Sequence, residues 1–165
     1  MPLVENQTAA SLLIRNTNSG EAARQRRRVN GENVRLMFNI VPEAAVYLGD
    51  RDIASIARST VFNTQPDAIC VSGLTAGAET SQATLNKVKE AVPNTPVFAN
   101  TGVNVKNVAA QLAVSDGAVV GTYFKRDGYI WNDVDRARVV HNAVCALRGS
   151  SAQRGGRSEG EIRLS

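Results

Sequence analysis

Four short apolar runs, each closing on small or polar residues and each followed by a stretch of helical spacing, constrain this 165-residue chain more than any other feature. The runs are residues 34–41 (VRLMFNIV), 67–73 (DAICVSG), 96–104 (PVFANTGVN) and 117–124 (GAVVGTYF). They are too short for helices and rich in Val, and they read as parallel strands buried on both faces. Apolar residues at i, i+3, i+4 mark the helices between them. Ile53, Ile56, Ala57 and Val61 follow a cap at Asp50, and Leu85, Val88 and Val92 follow Ser81. Val105, Val108, Ala109 and Leu112 follow Asn104, and Val139, Val140, Ala143, Val144 and Leu147 follow Asp133 or Asp135. Pro42, Pro66, Pro93 and Pro96 punctuate the boundaries, since the residue ahead of a proline avoids the helical region. Ahead of the first run, Ser19 caps a helix carrying Glu21 in its first turn and Arg24, Arg26, Arg27 and Arg28 toward its end, where the helix dipole favours cations.

Strand and helix alternating four times give an α/β chain with a parallel sheet and right-handed crossovers. Two architectures fit, an open doubly wound sheet of flavodoxin type with strand order 2-1-3-4, or part of a closed barrel. A whole barrel takes about 200 to 250 residues, so this chain does not close one alone. Residues 1–18 commit to no element, 19–148 form one domain, and 149–165 fall to Ser, Gly, Arg and Glu, the composition of a flexible basic tail.

The net charge of +4 resides mainly in the arginines of residues 24–28 and in those near the carboxyl end. With few aromatics and no recognition motif beside them, they read as a solvated helix face and a tail, not as a nucleic-acid surface. Cys70 and Cys145 read as buried reduced thiols. No apolar run reaches membrane-spanning length, and the amino terminus lacks a secretory pattern. A cytoplasmic location follows, or an organellar matrix if a targeting segment lies upstream. Metal-ligand spacing, a dinucleotide fingerprint and a nucleophile next to a base are all missing, so no metal, cofactor or catalytic residue is assigned. His141, the lone histidine, falls on the outer side of the last helix.

Function is expected at the ends of the third and fourth runs. Gly102 and Gly121 let backbone N–H groups crowd an anion, and a helix starting near Asn104 would aim its positive end at the same place.

Several blocks in order carry a resemblance: 71–73 (VSG), 87–97 (KVKEAVPNTPV), 101–108 (TGVNVKNV), 115–122 (SDGAVVGT), 125–128 (KRDG) and 131–139 (WNDVDRARV). Together they resemble the carboxyl-terminal half of the BtpA family, over roughly residues 20–147. The resemblance implies a TIM-barrel fold in which these strands are the fifth to eighth and the first four are absent. It implies a phosphate site built from Ser72, Gly73, Asn100, Thr101, Gly102, Val103, Gly121 and Thr122. The N–H groups of Gly102, Val103, Gly121 and Thr122 would be its donors and the Thr101 and Thr122 hydroxyls helpers. Asn39, Glu43, Lys125 and Asp127 would border it.

The chain also departs from the family pattern. Asn39 and Ala45 stand where members tend to carry an acidic residue and the histidine of a Lys-His pair, Ala76 replaces a threonine, and Ser81 an aspartate. Binding glycines persist while ionisable groups go, the pattern of a site that binds a phosphorylated small molecule without turning it over. Family members are named for photosystem I biogenesis, so a non-enzymatic assembly role through protein contacts is the alternative. Half a barrel leaves two unpaired parallel edges. A homodimer completing eight strands is expected if the chain is a true product, and an upstream half-barrel missing from the gene model if it is not.

Overall fold

The computed structural model describes residues 19–41, 49–74 and 77–157. Strand and helix alternate as the apolar runs dictate: α1 (Ser19–Arg28), β1 (Met37–Val41), α2 (Ile53–Thr64), β2 (Ala68–Ser72), α3 (Gln82–Ala91), β3 (Val97–Asn100), α4 (Val108–Ala113), β4 (Gly117–Val119) and α5 (Arg136–Arg157). Two 3-10 turns, Thr122–Phe124 and Arg126–Gly128, lie between β4 and α5. The strands form one parallel sheet in the order β1-β2-β3-β4.

That order decides between the two architectures. A doubly wound sheet reverses direction at a switch point and places helices on both faces. A sequential order with right-handed crossovers places every helix on one face, which is the sector of a barrel. The flavodoxin-like alternative, with strand order 2-1-3-4, is therefore excluded. Ile40, Ile69, Val71, Val97 and Ala99 pack with Ile56, Ala57, Leu85, Val88 and Val108 from the helices into one buried core. The opposite, inner face carries Asn39, Cys70 and Ser72, then Phe98, Asn100 and Gly117 in neighbouring register. A Cβ on Gly117 would sit 2.5 Å from the Phe98 ring, so that ring lies across the glycine.

Several boundaries differ from the sequence reading. Asp52, not Asp50, caps α2, its carboxylate accepting from Ser55 N at 2.9 Å. Asp135 rather than Asp133 starts α5, accepting from Ala137 N at 2.9 Å. The helix after β3 begins at Val108 behind Asn107, four residues beyond Asn104, and is six residues long. Asn104 opens the turn that leads into it, its carbonyl accepting from Val108 N at 2.8 Å and its Oδ1 from Lys106 N at 2.9 Å. β4 stops at Val119 because the chain from Gly121 winds into a 3-10 turn, Phe124 N donating to Gly121 O at 3.0 Å. At its other end α5 continues to Arg157, past the compositional change at Gly149.

Two carboxylates fasten the lower, amino-terminal ends of the strands. Asp67 accepts from Leu36 N at 2.8 Å and pairs with Arg35 and Arg26 at 2.7 and 2.9 Å. The Leu36 N–H first, and then the guanidiniums, hold its carboxyl at a pKa of about 2. Asp116 binds Lys89 Nζ and Val97 N, each at 2.7 Å, joining α3 to β3 and β4. Burial alone would raise the Asp116 pKa, but these two donors outweigh it and leave the group below its ordinary value.

Candidate functional site

At the opposite, carboxyl-terminal ends of the strands, the exits of β3 and β4 border one cavity of about 410 Å³. The β3 exit is unusual in its backbone. Thr101 has φ 78° and Gly102 φ 66°, and a β-branched residue in the left-handed region is a true outlier. Its own hydroxyl holds it there. Thr101 Oγ1 accepts from Gly73 N and donates to Ala78 O, both at 2.8 Å. Gly102 then passes so close to the loop after β2 that a Cβ would lie 2.5 Å from Ala78 C and Glu79 N.

The next peptide is fixed by two amides: Asn104 Nδ2 and Asn107 Nδ2 each donate to Gly102 O at 3.0 Å. In a trans peptide the following N–H points opposite the carbonyl, so Val103 N–H turns away from both amides. The β4 exit repeats this logic, because Gly121 O receives Phe124 N and leaves Thr122 N–H pointing away. Among the described residues no acceptor meets the N–H groups of Gly102, Val103, Gly121 or Thr122. All four residues line the cavity, as does Lys125.

Lys125 is placed by its backbone. Its N–H reaches Thr122 O at 3.1 Å, and its carbonyl accepts from Arg138 Nη1. The Arg138 guanidinium also stacks 4.8 Å over the Tyr123 ring, so one cation from α5 fastens two residues of the cavity wall. Lys125 itself has no ion-pair partner among the described residues.

The remaining expected residues divide by which hydrogen bonds they already make. Gly73 N–H is taken by Thr101 Oγ1, and the Thr101 proton by Ala78 O. Both groups are thus already engaged within the protein, although Thr101 itself lines the cavity. A Cβ on Gly73 would fall 2.3 Å from Ala78 O, so that glycine answers to packing. Asn39, Ser72 and Asn100 form a chain across three strands, both amides donating to Ser72 Oγ at 2.7 and 2.8 Å. Of these Asn100 lines the cavity. Asp127 sits exposed in a left-handed turn, φ 58°, outside the cavity wall. His141 is exposed on α5, and Ser81 precedes α3 as its cap. Glu43, Ala45 and Ala76 lie outside the described residues. Burial pushes the Cys70 thiol up, which keeps it protonated on the inner face.

Sequence reasoning missed the supports beneath the site. Thr80 Oγ1, fully buried, reaches both Val71 O and Asn100 O at 2.9 Å and joins the ends of β2 and β3. Gln111, with no exposed surface, donates to Thr80 O and to Glu79 Oε1. A glutamine within an otherwise apolar helical stretch was the available signal for it. A second hollow of about 500 Å³, lined by Arg24, Arg27, Arg28 and Phe62, lies between α1 and the end of α2, away from the strand exits. Among the described residues no three His, Cys, Asp or Glu side chains gather to hold a metal.

Residues 4–146 match the BtpA family. The chain belongs to that family. SgcQ, an sgc region protein of Escherichia coli (strain K12), is 57% identical over 131 residues, covering 79% of this chain and 49% of that protein. The photosystem I biogenesis protein BtpA of Synechocystis sp. is 26% identical over 122 residues, covering 74% of this chain and 42% of that one. The chain thus spans about half the length of the curated relatives it matches. Among solved structures, N-(5'-phosphoribosyl)anthranilate isomerase from Pyrococcus furiosus superposes with a TM-score of 0.54 at 14% identity, covering 78% of this chain and 57% of that one. That likeness shows the fold alone, a TIM-barrel-like arrangement.

Proposed function

We propose that the cavity between the β3 and β4 exits binds a phosphorylated small molecule and performs no chemistry on it with the residues described. What supports this reading is that Gly102, Val103, Gly121 and Thr122, whose backbone N–H groups meet no acceptor among the described residues, all line one cavity edged by Lys125. Hydrogen bonds to a charged acceptor contribute about 1.5 to 3 kcal/mol each. Two or three of them suit a millimolar-to-micromolar ligand once association costs are subtracted. Among the described residues the inner face offers amides, a hydroxyl and a protonated thiol, none of which is a general base near neutral pH.

Titration calorimetry with inorganic phosphate tests the reading: saturable one-site binding that weakens with salt is expected, and a flat heat signal overturns it. We place the protein in the cytoplasm, in keeping with its two unpaired cysteines.

β1 and β4 each pair on one side only among the described residues. A second copy joined about a two-fold axis would complete eight parallel strands, and we propose that dimer as the assembled form. Light scattering at several dilutions checks it, a folded monomer at every concentration being the contrary result.

A second reading, a non-enzymatic assembly role through protein contacts, draws on the name of the Synechocystis relative and on one surface. Val140, Val144 and Leu147 expose an apolar stripe on α5, with Trp131 82% exposed nearby in sequence. It ranks second because a homodimer would cover the same kind of surface.

A further inference from the structure

We infer that the part of the ligand beyond its phosphate carries neutral hydroxyl groups, read by Ser72 and Asn100. This rests on the anion site proposed above and concerns the floor beside it. Asn39, Ser72 and Asn100 come from three adjacent strands and share the inner face, where Ser72 Oγ receives Asn39 Nδ2 at 2.7 Å and Asn100 Nδ2 at 2.8 Å. A serine hydroxyl has two acceptor sites and one proton. Both acceptor sites are filled, so the group has only its proton left to offer. Asn39 Oδ1 is occupied too, accepting from Val41 N at 3.2 Å. Asn100 Oδ1 meets no donor among the described residues, although Asn100 lines the cavity. The cavity wall therefore presents one acceptor, Asn100 Oδ1, and the buried Ser72 hydroxyl, hydrogen-bonded behind it and not itself on the wall, holds one proton to donate.

Charge narrows the class of ligand. Among the described residues no carboxylate or imidazole lines the cavity, and Lys125 is the one formal charge on its wall. An ammonium group on the ligand would meet no counter-charge there, and a second carboxylate would compete with the phosphate for Lys125. A hydroxyl both donates and accepts, so it satisfies Asn100 Oδ1 and Ser72 Oγ–H without leaving a charge unpaired. Distance agrees, because Asn100 lies two residues before Gly102, about 7 Å along the chain. A substituent one or two carbons from a phosphate held by the Gly102 and Val103 N–H groups reaches that far. The ligand class is a phosphate monoester of a small polyol.

The experiment compares inorganic phosphate, n-propyl phosphate and glycerol 1-phosphate by titration calorimetry on the full chain. The last two have the same carbon skeleton and differ in two hydroxyls. Glycerol 1-phosphate is expected to bind about tenfold more tightly than propyl phosphate, the worth of one or two neutral hydrogen bonds. In Ser72→Ala that preference should fall to about twofold or less. Equal affinity of the two esters in the wild-type chain overturns the inference while leaving the anion site standing, and needs no variant to fold. Binding of neither ester nor of inorganic phosphate overturns the anion site and the inference together. A preference that survives Ser72→Ala overturns the assignment to Ser72.

Discussion

Gly102 and Gly121 look alike in the sequence, each a glycine closing a Val-rich strand, yet the structure assigns them opposite costs. Gly102→Ala adds a Cβ at φ 66°, 2.5 Å from Ala78 C and Glu79 N and 2.6 Å from Ala78 O. The left-handed conformation alone costs an alanine about 1 kcal/mol. The contacts are with backbone, and Ala78 O is itself tied to Thr101 Oγ1, so the loop cannot simply step aside. Overpacking of that kind adds about 1 to 3 kcal/mol. The total is about 2 to 4 kcal/mol, or roughly 10 °C in Tm for a domain of this size. Gly121→Ala, at φ −117° with no atom within 4 Å of the added Cβ, should stay within about 0.5 kcal/mol of the parent chain. Urea unfolding followed by far-ultraviolet circular dichroism, on both variants at one pH, measures the pair. A Gly102→Ala midpoint indistinguishable from the parent, or equal losses in both variants, refutes the packing argument and with it the placement of the β3 exit against the loop after β2.

Three further outcomes follow from the same geometry. Thr80→Val should destabilise by about 1 to 3 kcal/mol, because it strips a buried donor from both Val71 O and Asn100 O; an unchanged urea midpoint contradicts the shared hydrogen bond. Asp67 titrates at about 2 in the fold against an ordinary 3.8. Its contribution is thus complete above pH 4 and lost as pH falls from about 4 toward 2; in Asp67→Asn the stability-versus-pH curve should be flatter across that window and lower above it. Lys125→Ala should leave the unfolding midpoint within about 0.5 kcal/mol while weakening phosphate binding about tenfold at low salt and less at high salt. Binding insensitive to that variant would place the anion elsewhere.

The alternation of elements was legible because each run and each helical stretch declares itself locally, through residue spacing alone. Exact ends were not. Asp50 and Asp52 are chemically equal candidates, and only the observed bond from Ser55 N to Asp52 chooses between them. Strand order was beyond local pattern altogether, since a doubly wound sheet and a barrel sector share the same alternation. The site was half legible. Glycines at 102 and 121 announced tight, open backbone, but the sequence could not say which donors the fold would occupy. Gly73 N–H and the Thr101 hydroxyl carry the same chemistry as their neighbours, yet they bond each other and Ala78 instead.

Which donors remain open is therefore a consequence of how the fold satisfies the rest, and this is how the proposed anion site could stand beside an inner face whose described residues include no carboxylate or imidazole. Side-chain chemistry can be lost one residue at a time: Asn39 or Ser72 could be exchanged for other polar residues with little effect on the helix-facing core, which they do not join. The N–H groups of the cup have no such independence. Gly102 is held by the loop after β2, its carbonyl by Asn104 and Asn107, and Thr101 by Gly73 and Ala78. A change that moves the β3 half of the cup must first break contacts to the loop after β2 and to the turn before α4. A site made of backbone dipoles in such a place would persist as long as the sheet does, so the proposed cup bears on binding and is silent on turnover.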